Sequence, residues 1–426
     1  MQQIFYNGKI YTETEDEQIV QAMLVNDGIV VLTGTNEEIL QMKTDETEMN
    51  DLNEKYVYPS FFGFGETIFA QIEENLKNAN KFDISKNTAD KDSNYENFSH
   101  FDAYKKEFLK IQENLLKRGI TTVQEMGVTK RAFAFWKRLS EGGFLKIDVI
   151  GYVDIKSSKI VMDENCKSYR KYKNKFRLGG YHLVMDGRFD ELKAWLKKPY
   201  KHSKEYCGYG EYYCEQLSCL LKEVFSEKKQ IVVSAHGDKA IDEFLTTFEE
   251  VAEKEKVEEF YRPIIVGCEL YDKKTIDRLK KNGMSLCVEL SDKQTVSLIK
   301  DYVGFKRKNK YLNLKKIVAS DIKFVLSGKR ELENEIFYDY GEVLEKTQKS
   351  KLISKKHQID IKNAVKSIFN HSAYLLFDQE TKGSLENSKQ ATFVVLENPI
   401  ETYVMGQEKE YNMTLYINGQ KIKTQR

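Results

Sequence analysis

Two apolar rhythms divide the chain. The first 58 residues carry short runs in which apolar and polar positions alternate, broken by Asn-Gly or Asp-Gly. "IFYNGKIYT" reads as a strand, a turn at Asn7-Gly8 and a second strand, and "QAMLVNDGIVVLTG" repeats the device at Asp27-Gly28. Such dipeptides between period-two runs predict hairpins, because both turn residues tolerate positive φ. The C-terminus does the same in "TLYINGQKI" at Asn418-Gly419, after the strand-like "ATFVVLEN". The economical prediction is one small β-sandwich, a composite domain formed by residues 1–58 and 386–426.

Between these ends the pattern changes. Eight nearly continuous apolar runs follow one another: "YPSFFGFGE", "ITTVQEMG", "KIDVIGYVD", "YHLVMDG", "QIVVSAHG", "RPIIVGCE", "MSLCVEL" and "KFVLSGK". Stretches of helical period lie between several of them, such as "KKEFLKIQENLLKRG" and "KAIDEFLTTFEEVAEKEK". Continuous apolar strands alternating with helices predict parallel pairing, and eight such units predict an α/β fold, a (β/α)8 TIM barrel over residues 59–385. Residues 83–100 read as a polar loop, and "KRELENEIFYDYGEVLEK" after the eighth run reads as helix-rich. Ligands of such a barrel bind where its strands end. That rule nominates Glu66, Gln124, Glu125, Asp154, His182, Asp186, Ser234, His236, Glu269, Glu289 and Lys329.

Composition narrows the classes. Lys and Arg number 67 against 66 Asp and Glu, so no basic excess points to nucleic acid or an anionic membrane. No apolar stretch of ~18 residues predicts a membrane span, and "MQQIFYNGKIY" has neither the basic nor the apolar region of a secretory signal. The 6 cysteines show no CxxC spacing, and "CGYGEYYCEQLSC" fits no zinc pattern. The expectation is a cytoplasmic protein with reduced thiols.

A sandwich made from both termini around a barrel resembles the amidohydrolase superfamily, and the details resemble its amidohydrolase-3 branch. "VYPSFFGFGETI" is similar to that family's first barrel strand, "LLKRGITTVQEMG" to its second, and "LGGYHLVMDG" with Pro199-Tyr200 to its fourth strand and loop. "HGDKAIDEFL" resembles the helix start after strand five, and "GSLENSKQATFVVLENP" the return into the sandwich. The likeness covers nearly the whole chain. It implies hydrolysis of C–N or related bonds by water activated on zinc or another divalent metal.

The family's ligand positions are occupied differently. Its first strand ends in His-x-His, where this chain has Gly65 and Thr67. His182 stands at the position of the strand-four lysine, Ser234 and Gly267 at those of the strand-five and strand-six histidines, and Lys329 at that of the strand-eight aspartate. Asp321 in "VASDIK" is the alternative eighth-strand residue, and Ala391-Thr392 replaces the closing Ala-Asp pair. A charged lysine offers no lone pair to a cation. The expectation is therefore a degenerate site with no cofactor, its metal centre lost, whose barrel mouth binds a small-molecule ligand.

Two alternatives stand beside it. One is an active hydrolase with a rearranged site, either one metal on His182, His236, Asp186 or Asp321, or a metal-free acid–base pair drawn from His182, His236 and Glu66. The other is a non-catalytic scaffold that forms a homo-oligomer. The candidate pocket residues are Glu66, Gln124, Asp186, Ser234, Glu269 and Lys329, with Glu66 either a base or the counter-ion of Lys329, and Asp238 is expected to cap the helix it opens.

Overall fold

The computed structural model describes residues 1–13, 19–78, 98, 100–290, 293–304, 307, 311–327, 329–332, 335–338, 347, 353–403 and 413–423. Eight strands form one parallel sheet in chain order: β1 (Phe61–Glu66), β2 (Ile120–Val128), β3 (Asp148–Asp154), β4 (Phe176–Val184), β5 (Ile231–Ala235), β6 (Ile264–Gly267), β7 (Ser285–Glu289) and β8 (Phe324–Ser327). Each pairs in parallel with the next. The sheet curls until its two edge strands meet, and there the Ser327 hydroxyl donates to the Phe64 carbonyl at 3.1 Å. The TIM barrel expected from the eight apolar runs is thus present.

The barrel is a packed core. Phe62, Phe64, Met126, Ile150, Tyr152, Val232, Ile264, Val266, Cys287 and Val325 fill its interior. Its lower end is plugged by the short helix Asn370–Leu375, whose Ala373 and Leu375 join the same cluster. Below the barrel lies a buried ionic network. Arg177 on β4 bonds Asp378 at 2.9 Å, and Lys382 bonds Asp148 at 2.6 Å and Asp378 at 3.3 Å.

The amphipathic helices between strands begin where short polar side chains take up otherwise unpaired backbone N–H groups. Thr129 caps Lys130–Glu141, Asp154 caps Ile155–Glu164 and Asp272 caps Lys273–Lys281. Helix Asp238–Lys254 differs from the expectation. Gly237 is its cap residue, and Asp238, already inside the helix, accepts from the Lys197 N–H at 2.9 Å.

The termini build two sheets. One has four strands, ordered Ile29–Gly34, Ala22–Asn26, Gln2–Tyr6 and Glu48–Asp51. The other has six, ordered Gln420–Lys421, Met413–Ile417, Phe393–Leu396, Tyr56–Pro59, Lys9–Tyr11 and Ile19–Val20, so it draws strands from both ends of the chain. Phe5, Met23 and Val25 of the first sheet pack with Ile10, Val57, Phe393 and Val395 of the second.

Two of the three expected hairpins form. Asp27 and Gly28 have φ of 49° and 80°, Asn418 and Gly419 have 50° and 74°, and each pair joins antiparallel neighbours. At Asn7-Gly8 only Asn7 is left-handed, with φ 55°. The chain there crosses from the four-stranded sheet to the six-stranded one. The stretch expected to be helical after β8 instead contains an antiparallel pair, Lys329–Leu332 with Glu335–Tyr338. The β-branched and aromatic run "EIFY" suits a strand better than a helix.

Candidate functional site

The C-terminal ends of β4 to β7 gather the polar side chains. His182 near the end of β4 and Ser234 on β5 point the same way into the barrel, and His182 Nε2 lies 2.9 Å from Ser234 Oγ in a hydrogen bond. The ring is 6% exposed, and its Nδ1 is buried without a partner. Burial pushes His182 down to about 4, which the charge of Asp154 only partly opposes, so the imidazole is neutral at pH 7. Asp154 faces His182 in the β3–β4 register.

A second group lies just beyond the end of β5. His236 Nδ1 bonds Glu269 Oε1 at 2.9 Å, and Glu269 Oε2 is buried without a partner. Burial alone would favour the neutral ring. The charged, hydrogen-bonded Glu269 more than reverses this and holds His236 up at about 9, so it carries a proton at pH 7. Asp186 braces the group from the β4 side by accepting from the N–H of His236 at 2.8 Å, Gly237 at 2.8 Å and Trp195 at 2.7 Å. Burial nevertheless pushes Asp186 up to about 6, against His236 and those three N–H groups.

Gly267, the last residue of β6, makes room for this pair. A Cβ built there would sit 2.8 Å from His236 Nδ1 and 2.9 Å from the Ala235 carbonyl oxygen, and its φ is +97°. His236 thus occupies the space that a side chain at the strand-six position would need. Gly65 on β1 similarly admits the Glu289 carboxylate, whose Oε1 lies 3.3 Å from a Cβ built at that glycine. Glu289 in turn faces Arg188 at 3.9 Å.

The structure therefore brings the nominated residues into two clusters, His182 with Ser234, and Asp186 with His236 and Glu269. Gln124 lies deeper, fully buried, accepting from the Gly65 N–H at 3.3 Å and leaving its Nε2 unpartnered. Glu125 accepts from the N–H groups of Ile68 and Phe69, at the start of helix Ile68–Asn78. Asp321 is exposed and precedes β8, at the end of the barrel away from the mouth. Lys329 follows β8 in the antiparallel pair; its side chain and that of Glu66 lie outside the described residues, and so does their expected pairing. Arg188 and the Gly267–His236 exchange were not nominated from sequence. Arg188 sits in a loop whose sequence gives no period, and the exchange is visible only once β5 and β6 are side by side.

The implied metal meets a poor fit among these donors. Zinc takes about four N, S or O donors at ~2.0–2.3 Å. Among the described residues no three His, Cys, Asp or Glu side chains are grouped to hold an ion. Both Asp186 oxygens and one oxygen of Glu269 are already engaged within the protein.

A barrel with its polar groups at the strand ends and a sandwich drawn from both termini defines a class, and the sequence places the chain within it. The Amidohydrolase family model matches residues 84–416, so this chain belongs to the amidohydrolase family. No curated protein sequence matches it. Among solved structures it is similar to an uncharacterized metal-dependent hydrolase from Pyrococcus horikoshii OT3, with a TM-score of 0.78 and 21% identity over 96% of this chain and 100% of that one. A second, from Pyrococcus furiosus, gives a TM-score of 0.78 and 18% identity over 94% of this chain and 100% of that one. The guanine deaminase of E. coli gives 0.62 and 14%, over 100% of this chain and 98% of that one. At such identities the likeness shows the fold. Among the described residues no helix is long and apolar enough to cross a membrane.

Proposed function

We propose that this amidohydrolase-family chain works without the family's metal centre, and that its barrel mouth takes a small organic molecule. The observation that carries the reading is the exchange at Gly267: the place of the strand-six ligand is filled by His236, which is itself tied to Glu269. A protonated imidazole repels a divalent cation and has no lone pair to give it. The strand-four and strand-five positions are likewise turned toward each other, His182 to Ser234.

What remains is a set of buried polar atoms suited to a neutral or zwitterionic guest. Glu269 Oε2 accepts, Gln124 Nε2 donates, and His182 Nδ1 does either according to its tautomer. Buried groups of this kind stay unpaired at a cost that a ligand with matching donors and acceptors removes. Elemental analysis of protein purified without chelator and dialysed tests the reading. Less than about a tenth of an equivalent of zinc, iron, manganese or nickel is expected. A stoichiometric ion that is lost on replacing His182 or His236 would overturn it.

A further inference from the structure

We infer that Ser234 and His182 form a nucleophile–base pair that transfers the acyl group of a small ester or amide through a covalent acyl-serine. The inference rests on the metal-free reading above, since a metal held by these positions would take the same lone pairs.

The geometry is that of an activated hydroxyl. Ser234 Oγ and His182 Nε2 are 2.9 Å apart, within the range at which a base takes a hydroxyl proton. They come from neighbouring strands, and the β4–β5 register sets Ser234 opposite Val184, two residues along from His182 on the same side. Both side chains therefore sit on rigid ladders rather than on loops, at the end of the barrel where this fold carries its chemistry. The second ring nitrogen, Nδ1, has no hydrogen-bond partner in the protein, and a Cβ built at Gly127 would lie 3.6 Å from it. Neutral imidazole in this setting keeps a lone pair at Nε2 when its proton is on Nδ1. Asp154, the register partner of His182, is the acid whose charge favours a proton on the ring as it forms.

The step balances with water as the only co-reactant. Ser234 Oγ forms a bond to the carbonyl carbon while its proton passes to His182 Nε2. The tetrahedral adduct collapses, the bond from carbon to the alcohol or amine breaks, and the leaving group takes the proton from Nε2. Water then attacks the acyl-serine, gives its proton to Nε2, and releases the carboxylic acid, with the proton returned to Ser234 Oγ.

The neighbouring cluster does not duplicate this pair. His236 Nδ1 is committed to Glu269, and no hydroxyl among the described residues hydrogen-bonds that ring. The pair is also distinct from a buried structural hydrogen bond in one testable way: it should make one serine of this chain selectively reactive.

The test is labelling of the full-length protein with a fluorophosphonate probe, with the adduct located by peptide mass spectrometry. A single adduct on Ser234 is expected. Ser234→Ala should abolish it, and His182→Gln should slow its formation by about 100-fold or more, the usual range for losing a general base. Ser234→Cys guards against a folding artefact: the thiol should react with a chloroacetamide probe faster than in the Ser234→Cys/His182→Gln double variant. Each variant is first checked by circular dichroism and thermal melting. An adduct elsewhere, no adduct on folded wild-type protein, or a labelling rate indifferent to His182→Gln would overturn the pair. Metal content is measured on the same preparation. Stoichiometric metal would sink the metal-free reading, whereas metal-free, unlabelled protein would sink the pair alone.

Discussion

Replacing Glu269 with glutamine should uncouple the stability of the protein from mildly alkaline pH. Against the opposing effect of burial, Glu269, with smaller help from the charges of Glu289 and Asp186, holds His236 at about 9 instead of its ordinary 6.5. At roughly 1.4 kcal/mol per tenfold change in proton affinity, that rise corresponds to about 3 kcal/mol. The folded state binds the proton more tightly than the unfolded state, so the contribution is fully present below pH 6.5 and is lost as pH rises through about 9. Wild-type protein should therefore lose about 3 kcal/mol between pH 6.5 and 9.5 from this group, read as the midpoint of urea unfolding at constant ionic strength. Glu269→Gln keeps the shape and removes the charge. It should be less stable at pH 6.5 by about 3 kcal/mol, since His236 loses the charge that holds its proton and stays neutral in the fold while the unfolded chain still binds one, and its midpoint should change much less up to pH 9.5. The imidazole resonances of His236, followed by NMR, should titrate near 9 in the wild type and below 6.5 in the variant. A wild-type midpoint that is flat or rises across this window, with Glu269→Gln parallel to it, would refute the reasoning.

Gly267→Ala should destabilise the protein by about 2 kcal/mol or more, because alanine at φ +97° is strained and its Cβ meets the His236 ring; the same urea titration measures it, and an unchanged midpoint would mean that the ring moves freely aside. Lys382→Met should cost about 1.5–3 kcal/mol by removing the cation that Asp148 and Asp378 share while leaving each a second one, Lys175 and Arg177, and the double variant with Asp148→Asn should recover part of the loss in a double-mutant cycle. On the acid side, His182 stays neutral down to about 4, so the folded state binds fewer protons than the unfolded state between pH 6.5 and 4 and stability should fall with pH there; His182→Gln should lessen that slope.

The barrel was legible because buried parallel strands are apolar on both faces, which writes eight recognisable runs into the sequence. The hairpins were legible where both turn residues adopt positive φ, as at Asp27-Gly28, and were not where a crossover between sheets uses the same dipeptide, as at Asn7-Gly8. The strand-end rule nominated His182, Ser234, His236, Glu269 and Asp186, which the fold gathers at one end of the barrel. It gave no information on which would pair, since pairing depends on register: Ser234 lies opposite Val184 rather than His182, and that offset is what brings the two side chains together. Gly267 could be read from sequence as an absence of a ligand. Only the packed structure shows it as the space that His236 fills.

The six-stranded sheet has a consequence for how the chain is made. Tyr56–Pro59 pairs with Phe393–Leu396, with Pro59 opposite Phe393, so a strand emerging early from the ribosome waits for one that emerges near the end. Every barrel strand lies between them in sequence. Contacts of such long separation form slowly and late. During synthesis the apolar Val57 has no Val395 across from it, and an exposed strand edge invites pairing with other chains. Truncation before Phe393 should consequently yield a chain that aggregates rather than one that merely lacks a tail.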